Sequence, residues 1–137
     1  MIPNYTFDNC PPPDIFVIPG GAAQNVTRDS LAMEFVKSMC DHADIVLTVC
    51  SGSFILARAG LLDGLTATAH QDDLEDLRRF APKTKVVSAR YVDNGKIITA
   101  GGVSSGIDGA LHIIERMHGK ERADAIAYYL QHARRLP

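Results

Sequence analysis

The chain has 137 residues, enough for one domain with a substantial core, and its hydrophobic content of 46% is ordinary for a soluble globular protein. A formal net charge of −2 argues against a surface that binds nucleic acid or an anionic membrane. Because no apolar stretch is long enough and the N-terminus lacks a basic and hydrophobic leader, we expect neither a transmembrane span nor a signal peptide.

The first half of the chain predicts alternating strands and helices. A short buried strand over residues 14–18 ends in Pro19-Gly20-Gly21, and a polar loop then leads to a helix over residues 28–42. The β-branched run over residues 45–49 predicts a strand that is buried on both faces. A helix over residues 51–59 follows it directly.

The second half continues the same alternation. The predicted elements are a strand over residues 65–68, a helix ending near Pro82, a hairpin of residues 86–92 and 96–99 around Asp93-Asn94-Gly95, and helices over 106–117 and 120–133. Strands that alternate with helices predict an α/β sandwich with a mainly parallel sheet covered on both faces. We expect this single domain to occupy residues 1–137.

Three cysteines are present, Cys10, Cys40 and Cys50, an odd number without CxxC spacing. They predict free thiols in a reducing compartment, so we expect a cytoplasmic protein without a disulfide framework. Neither a phosphate-binding glycine loop nor a set of metal ligands is evident, and no cofactor or metal is implied. His112 and Glu115 have a spacing found in some metal sites, but a solvated helix face is the favoured interpretation.

Cys50 lies where a buried strand turns sharply into a helix. Such a turn lifts the side chain above the sheet and points it at a helix N-terminus, where the dipole favours a thiolate. Free N–H groups there can bind developing negative charge. The arrangement is that of the nucleophile elbow of α/β hydrolases with sulfur in place of oxygen. A buried structural cysteine is the alternative, and spacing alone does not decide between them.

Two strand ends form the expected ligand-binding edge of the sheet. In open α/β sheets, ligands bind at the carboxyl ends of strands near a switch in strand order, and Gly20-Gly21 and Cys50 should end neighbouring strands. Few parallel strands remain to flank the first of them, however, and a two- or three-stranded parallel sheet is a poor core. We therefore expect the domain's opening βαβ portion to be missing from this chain.

Four segments resemble successive motifs of the ThiJ/PfpI superfamily: DIFVIPGG at 14–21, VCSGSFILARAGLLDG at 49–64, TATAH at 66–70 and ITAGGVSSGID at 98–108. Their order and spacing match from about residue 3 to residue 132. They are most similar to the isocyanide hydratase branch and to the amidase-like sensor domain of AraC-type regulators. The resemblance implies a flavodoxin-like three-layer sandwich that forms a homodimer, with a reactive Cys50.

The resemblance also assigns roles residue by residue. Cys50 matches the family's nucleophile, and Gly20 and Gly21 match the diglycine whose N–H groups face it. The Ser51 N–H would join them in an oxyanion hole, where each donor is worth ~3 kcal/mol. The Ser51 hydroxyl fits the hydratase branch, whereas peptidase-like members carry histidine there. His70 matches a histidine near the cysteine, which is either catalytic or structural.

Two further features of the resemblance concern positions outside this set. Residues 99–105 are expected to form a loop leading into a helix that Asp108 caps. The family also carries an acidic residue in an early βα turn, the expected general acid or base of the hydratases, and no residue of this chain corresponds to it. A shortened chain, a fragment that assembles with another chain, and a rearranged variant are the three explanations.

Two function classes follow from these residues. The first is a cysteine-dependent hydratase or amidohydrolase-like enzyme acting on a small molecule, with isonitrile hydration to an N-substituted formamide as the specific case. The second is a non-enzymatic module that binds a small ligand or senses redox state through oxidation of Cys50. In either class the partners are a small molecule and a second copy of the chain, without nucleic acid or membrane.

Overall fold

The fold is organised around a four-stranded sheet with helices on both faces. The computed structural model describes residues 2–134, while Met1 and residues 135–137 lie outside the described range. The strands are β1 (Ile15–Ile18), β2 (Ile45–Val49), β3 (Thr66–Ala67), β4 (Lys85–Val86), β5 (Tyr91–Asp93) and β6 (Ile97–Ala100). The helices are α1 (Ala23–Arg28), α2 (Ser30–His42), α3 (Ser53–Arg58), α4 (Leu74–Phe80), α5 (Val103–His118) and α6 (Lys120–Tyr129).

The strand order of the main sheet is β1-β2-β6-β5, in which the first three strands run parallel and β5 is antiparallel to β6. Strands β3 and β4 form a separate parallel pair. In the main sheet Ile18 is opposite Thr48, and Val49 is opposite Ala100. The carboxyl ends of β1, β2 and β6 therefore meet at one edge, which confirms that the diglycine and Cys50 follow neighbouring strands.

The alternation of side chains along β2 explains the two helical layers. Val46 points into an apolar cluster that includes buried residues of β1, α1, α2 and α3. Ile45 and Leu47 point to the opposite face, where they pack with Ile98 of β6 and Ile113 of α5. Because successive strand side chains face opposite sides of the sheet, a run of apolar residues needs cover on both. The predicted three-layer α/β architecture is confirmed.

Two segments differ from the prediction: the polar loop before α2, and the first strand of the hairpin. Residues 23–28, expected as a polar loop, form α1 because buried Ala23 and partly buried Val26 pack on the core. The predicted strand over residues 86–92 is divided: Val86 pairs with β3, whereas Tyr91 pairs with β6. The hairpin turn at 93–95 is present, but the residues predicted as its first strand belong to two sheets, β4 to the β3–β4 pair and β5 to the main sheet.

The last two helices also differ at their ends. Helix α5 begins at Val103, so the expected loop over 99–105 is instead the end of β6 followed by the first turn of α5. Helix α6 ends at Tyr129 rather than at residue 133, and the left-handed backbone of Gln131 (φ +52°) turns the chain away. None of the helices within residues 2–134 is both long and apolar enough to cross a membrane.

Asn94 in the hairpin turn connects the two sheets. Its Oδ1 accepts a hydrogen bond from the Thr66 N–H (3.3 Å), and its Nδ2 donates to the Thr66 carbonyl (2.9 Å). The same Nδ2 donates to the Ile97 carbonyl (3.3 Å). The carboxamide therefore takes the place of a neighbouring strand for β3, and it fixes the small β3–β4 pair to the end of the main sheet.

Leu56 provides a test of the helical layer formed by α1, α2 and α3. Its side chain is fully buried (0% exposed), so Leu56→Ala should lower the free energy of unfolding by about 2–5 kcal/mol. The matched control is Leu31→Ala, since Leu31 on α2 is 57% exposed and should cost less than about 0.5 kcal/mol. Urea unfolding followed by circular dichroism measures both. Equal losses for the two variants would contradict the assigned packing.

The buried thiol of Cys40 on α2 should lower the free energy of unfolding at alkaline pH. Burial, reinforced by the negative charge of Asp41 and opposed by Lys96, raises the pKa of the Cys40 thiol from 9.0 to about 11. Between those two pKa values the unfolded chain has released a proton that the folded chain still holds. The free energy of unfolding therefore falls as pH rises through that window, and stability is greatest below it.

The control for this prediction is Cys40→Ala, which has no thiol to ionise. Urea unfolding from pH 8 to 11 should show the wild-type chain losing more stability than the variant, with the extra loss confined to the window above pH 9. Parallel pH profiles for the two proteins would contradict it.

Candidate active site

Cys50 occupies a strained turn between β2 and α3. Its backbone is left-handed (φ +58°), a conformation that residues other than glycine rarely adopt. The Cys50 N–H donates to the Gly101 carbonyl (2.8 Å), and a short 3₁₀ turn over Cys50–Gly52 leads into the helix. The side chain is partly exposed. This is the strand-to-helix elbow that the sequence predicts, with the sulfur-bearing residue at its apex.

Two glycines allow the elbow to contact β1. A Cβ on Gly20 would stand 2.7 Å from the Cys50 Cβ and 3.3 Å from its Sγ, so only a glycine permits this approach. A Cβ on Gly52 would stand 2.6 Å from the Ile18 carbonyl oxygen. The end of β1 and the start of α3 are therefore in direct backbone contact on either side of the cysteine.

The hydroxyl of Ser51 holds the diglycine in place. Ser51 Oγ accepts a hydrogen bond from the Gly21 N–H and donates one to the Gly21 carbonyl, both at 3.0 Å. The predicted oxyanion hole used the Gly21 N–H as a donor, but this group is occupied by Ser51. The N–H groups of Gly20 and Ser51 remain as candidates for that role, and the Ser51 hydroxyl acts as a clamp.

A chain of buried hydroxyl groups aligns the elements behind the elbow. Thr48 Oγ1 on β2 lies 3.0 Å from Ser53 Oγ on α3, and Ser53 donates to the Thr68 carbonyl at 2.7 Å. The Thr68 N–H in turn donates to Thr99 Oγ1 on β6 (3.0 Å). All four residues are fully buried, so breaking one link would leave a polar group without water or partner. The network fixes the α3 N-terminus relative to two parallel strands.

His70 follows β3 and faces Gly102 rather than the cysteine sulfur. Its Nδ1 accepts the Asp72 N–H (3.3 Å), and the Asp72 carboxylate lies 3.6 Å from the same atom. Its Cδ2 lies 3.1 Å from the place that a Cβ on Gly102 would take. An acceptor at Nδ1 puts the proton of the neutral ring on Nε2. The described hydrogen bond of the ring thus goes to the adjacent 3₁₀ turn, and a catalytic role of His70 stays a prediction.

A cavity of about 900 Å³, which we call the elbow cavity, opens beside Ser51 and Gly21. Its apolar surface comes from Phe54 and Phe80, whose ring centroids are 5.6 Å apart. Its charged lining comes from arginines and aspartates on α1, α3 and the α4 region, namely Arg28, Arg58, Asp73 and Asp76. The cavity thus combines two aromatic rings with charged and polar side chains, and it adjoins Cys50 through Ser51 without including Cys50 in its lining.

Asp108 has a different place from the one expected. It was predicted to cap the helix N-terminus, but it is the sixth residue of α5 and its side chain is fully buried. The carboxylate pairs with Arg90 (2.5 Å) and with His132 (2.7 Å). The sequence did contain a sign of this burial. Asp108 lies three residues before Leu111 on the apolar side of α5, where an acidic side chain needs a buried partner.

His112 and Glu115 bind separate partners on the α5 surface. His112 Nε2 lies 2.7 Å from Asp93 Oδ2, and the His112 ring stacks on Tyr91 with centroids 4.8 Å apart. Glu115 instead pairs with Arg134. Within residues 2–134, no group of three or more histidine, cysteine and acidic side chains is arranged to hold a metal ion.

Proteins with similar sequences include an enzyme and a transcriptional regulator. An isonitrile hydratase from Pseudomonas putida is 35% identical over 135 residues, which make up 96% of this chain and 57% of the hydratase. The HTH-type transcriptional regulator GbdR from Pseudomonas aeruginosa is 31% identical over 130 residues, or 93% of this chain and 35% of the regulator. The chain thus spans little more than half the length of the hydratase.

The fold has close counterparts among solved structures. The crystal structure of a ThiJ/PfpI family protein from Pseudomonas syringae superposes with a TM-score of 0.88 and 28% identity, covering 100% of this chain and 57% of that one. This agreement confirms the flavodoxin-like α/β architecture with a mostly parallel sheet. The family description DJ-1/PfpI matches residues 1–116, which include the diglycine, the elbow and the start of α5. The chain belongs to the DJ-1/PfpI family.

Proposed function

We propose that Cys50 is the nucleophile of a hydratase acting on a small molecule, and that an isonitrile is the substrate. The observation that carries this proposal is the left-handed backbone of Cys50 at φ +58°. Strain of this kind persists only where the surrounding structure holds it in place, and it concentrates at functional sites. The substrate class comes from the similarity to isonitrile hydratase.

The reaction would use Cys50 as a transient covalent partner. The thiolate attacks the terminal isonitrile carbon, a C–S bond forms, and protonation of that carbon gives a thioimidate. Water then adds to the same carbon while the nitrogen takes a proton. Collapse of this adduct breaks the C–S bond, releases the thiolate and leaves an N-substituted formamide. One water molecule is consumed, and Cys50 is regenerated unchanged.

The surrounding residues suit the two halves of this reaction. Negative charge develops on the adduct next to the elbow, where the N–H groups of Gly20 and Ser51 are the donors proposed to stabilise it. The Ser51 hydroxyl keeps Gly21 and its neighbours in position through two hydrogen bonds of 3.0 Å. The aromatic side of the elbow cavity would accept the apolar substituent of the substrate. In this proposal, protons are delivered by water or by a second chain.

A ligand-binding or redox sensor is the second candidate function. The similarity of 93% of this chain to part of the HTH-type regulator GbdR favours this function, since the similar region there belongs to a transcriptional regulator. In that role the elbow cavity would hold a ligand without turnover, or Cys50 would be oxidised to a sulfinic acid. Catalytic turnover distinguishes this candidate from the hydratase.

The hydratase proposal predicts Cys50-dependent turnover of an aryl isonitrile. The purified chain is incubated with the isonitrile, and formamide formation is followed by absorbance. Cys50→Ser should reduce the rate to that of buffer, because serine at this position lacks a thiolate. Cys10→Ser is the matched control and should keep the full rate, since Cys10 lies in the N-terminal loop away from the elbow.

The same assay separates the other candidate residues. His70→Gln should keep most of the rate, because the ring bonds to Asp72 and not to the sulfur. A chain that is folded by circular dichroism but shows no Cys50-dependent turnover would contradict the hydratase proposal and favour the sensor.

A second prediction concerns the contact between Gly20 and Cys50. In Gly20→Ala the new Cβ would stand 2.7 Å from the Cys50 Cβ, so the elbow must shift. Overpacking of this kind costs about 1–3 kcal/mol, which corresponds to a roughly 5- to 150-fold loss of rate if it falls on the reactive conformation. The rate of Cys50 alkylation by iodoacetamide, read by mass spectrometry of its peptide, measures the effect.

The control for this variant is Ala22→Ser, which adds a single atom at an exposed position two residues further along the chain. It should leave the alkylation rate unchanged. Equal alkylation rates for Gly20→Ala and the wild-type chain would show that the reactivity of Cys50 does not depend on the close approach of the diglycine.

A further inference from the structure

A second cavity, of about 760 Å³, adjoins the start of α5, and we call it the α5 cavity. Gly101 and Gly102 form part of its wall, but Cys50 and Ser51 do not. We infer that the α5 cavity binds the carboxylate of a small organic acid through Arg90. This inference does not depend on turnover at Cys50.

The lining of the α5 cavity combines hydrogen-bond donors with apolar surface. The polar side chains come from the segments after β3 and β4 and from the first turn of α5, namely Thr68, His70, Gln71, Ser88, Arg90, Ser104 and Ser105. The apolar ones are Ala69, Leu74, Val103 and Ile107. A ligand with one charged group and an apolar body matches this distribution.

Arg90 is one of the residues that line the α5 cavity. Its Nε donates to Asp108 Oδ2 (2.5 Å), and its Nη2 donates to Ser104 Oγ (3.3 Å). The hydrogen bonds that Arg90 makes within residues 2–134 use these two nitrogens, which leaves the Nη1 edge for a ligand. The side chain is 26% exposed. Nη1 can donate to one oxygen of a ligand carboxylate, and the permanent positive charge of the guanidinium attracts that group.

Asp108 fixes the plane of that guanidinium before a ligand arrives. Its carboxylate is fully buried, and it accepts from Arg90 and, on its other oxygen, from His132 Nε2 at 2.7 Å. Because an ionised carboxylate only accepts, His132 Nε2 must be the donor and draws part of the negative charge away from Arg90. A cation held in one orientation loses less entropy when a ligand binds than a mobile one.

His70 supplies a second donor of suitable polarity. Since its Nδ1 accepts the Asp72 N–H, the neutral ring carries its proton on Nε2, which lies 3.6 Å from the ideal Cβ position at Gly102 in the cavity wall. The Asp72 carboxylate is on the opposite, solvent side of the ring and is 78% exposed. Among the described residues that line the cavity there is one arginine and no lysine, so a monocarboxylate with a single negative charge fits better than a phosphate.

The test uses benzoate as the carboxylate probe and benzamide as its neutral counterpart of the same shape. In ¹H–¹⁵N spectra of the full chain, benzoate should cause saturable shifts at the amides of residues 88–90 and 101–105. Benzamide should cause none at the same concentrations. Cys50→Ser should bind benzoate as the wild-type chain does, which separates this result from the outcome of the isonitrile assay.

The decisive variant is Ser88→Asp, with Ser88→Asn as its control. Ser88 is exposed and lines the α5 cavity, so a carboxylate there should repel benzoate without disturbing the core. Its Kd for benzoate should rise at least about tenfold, whereas the asparagine variant should keep the wild-type value. Arg90→Met should also abolish binding, but it removes the arginine partner of the buried Asp108 carboxylate and can unfold the chain.

Three results would overturn the inference. The first is the absence of saturable benzoate shifts in the folded protein. The second is equal binding of benzoate and benzamide, since an apolar pocket alone would then account for it. The third is an unchanged benzoate Kd in Ser88→Asp, because the charge of the ligand would then lie elsewhere.

Discussion

The left-handed backbone of Cys50 (φ +58°) is held by contacts with the ends of the two strands that flank β2, namely β1 and β6. The Gly101 carbonyl after β6 accepts the Cys50 N–H, Gly20 after β1 packs against its side chain, and Gly52 rests on the end of β1. Strain of about 1–3 kcal/mol is sustained only by such a surround. The contacts that hold the elbow therefore depend on the adjacency of β1, β2 and β6 in the sheet.

Two buried polar networks support this arrangement from different directions. The hydroxyl chain through Ser53 and Thr68 aligns α3 with the strands, while the ion pairs of Asp108 tie α5 to the segment before β5 and to the chain after α6. Within residues 2–134, no buried side-chain nitrogen or oxygen lacks a hydrogen-bond partner. Gly101 accepts the Cys50 N–H and, with Gly102, lines the α5 cavity, so this segment contacts both the elbow and that cavity.

Sequence reasoning predicted the features that depend on local pattern. The strand over residues 45–49, the turn at Cys50 and the neighbouring diglycine are set by β-branched runs and small residues, and the structure has all three. It missed the features that depend on contacts with residues far away in the sequence. Residues 23–28 become helical because the core receives Ala23, and the buried position of Asp108 depends on Arg90 and His132, which come from other elements. The role of Ser51 as a clamp on Gly21 required the geometry itself.

The carboxamide of Asn94 has a consequence for the chemical lifetime of the chain. Asn94 is followed by Gly95, and an asparagine before glycine is prone to lose its side-chain ammonia through attack by the next backbone nitrogen. Deamidation would replace the Nδ2 donor with an oxygen facing the carbonyls of Thr66 and Ile97, so two attractions would become repulsions. Ageing at this one turn would loosen the start of β3, while the hydrogen bond between Thr68 and Thr99 would still join the β3–β4 pair to the main sheet and Cys50 would stay chemically intact.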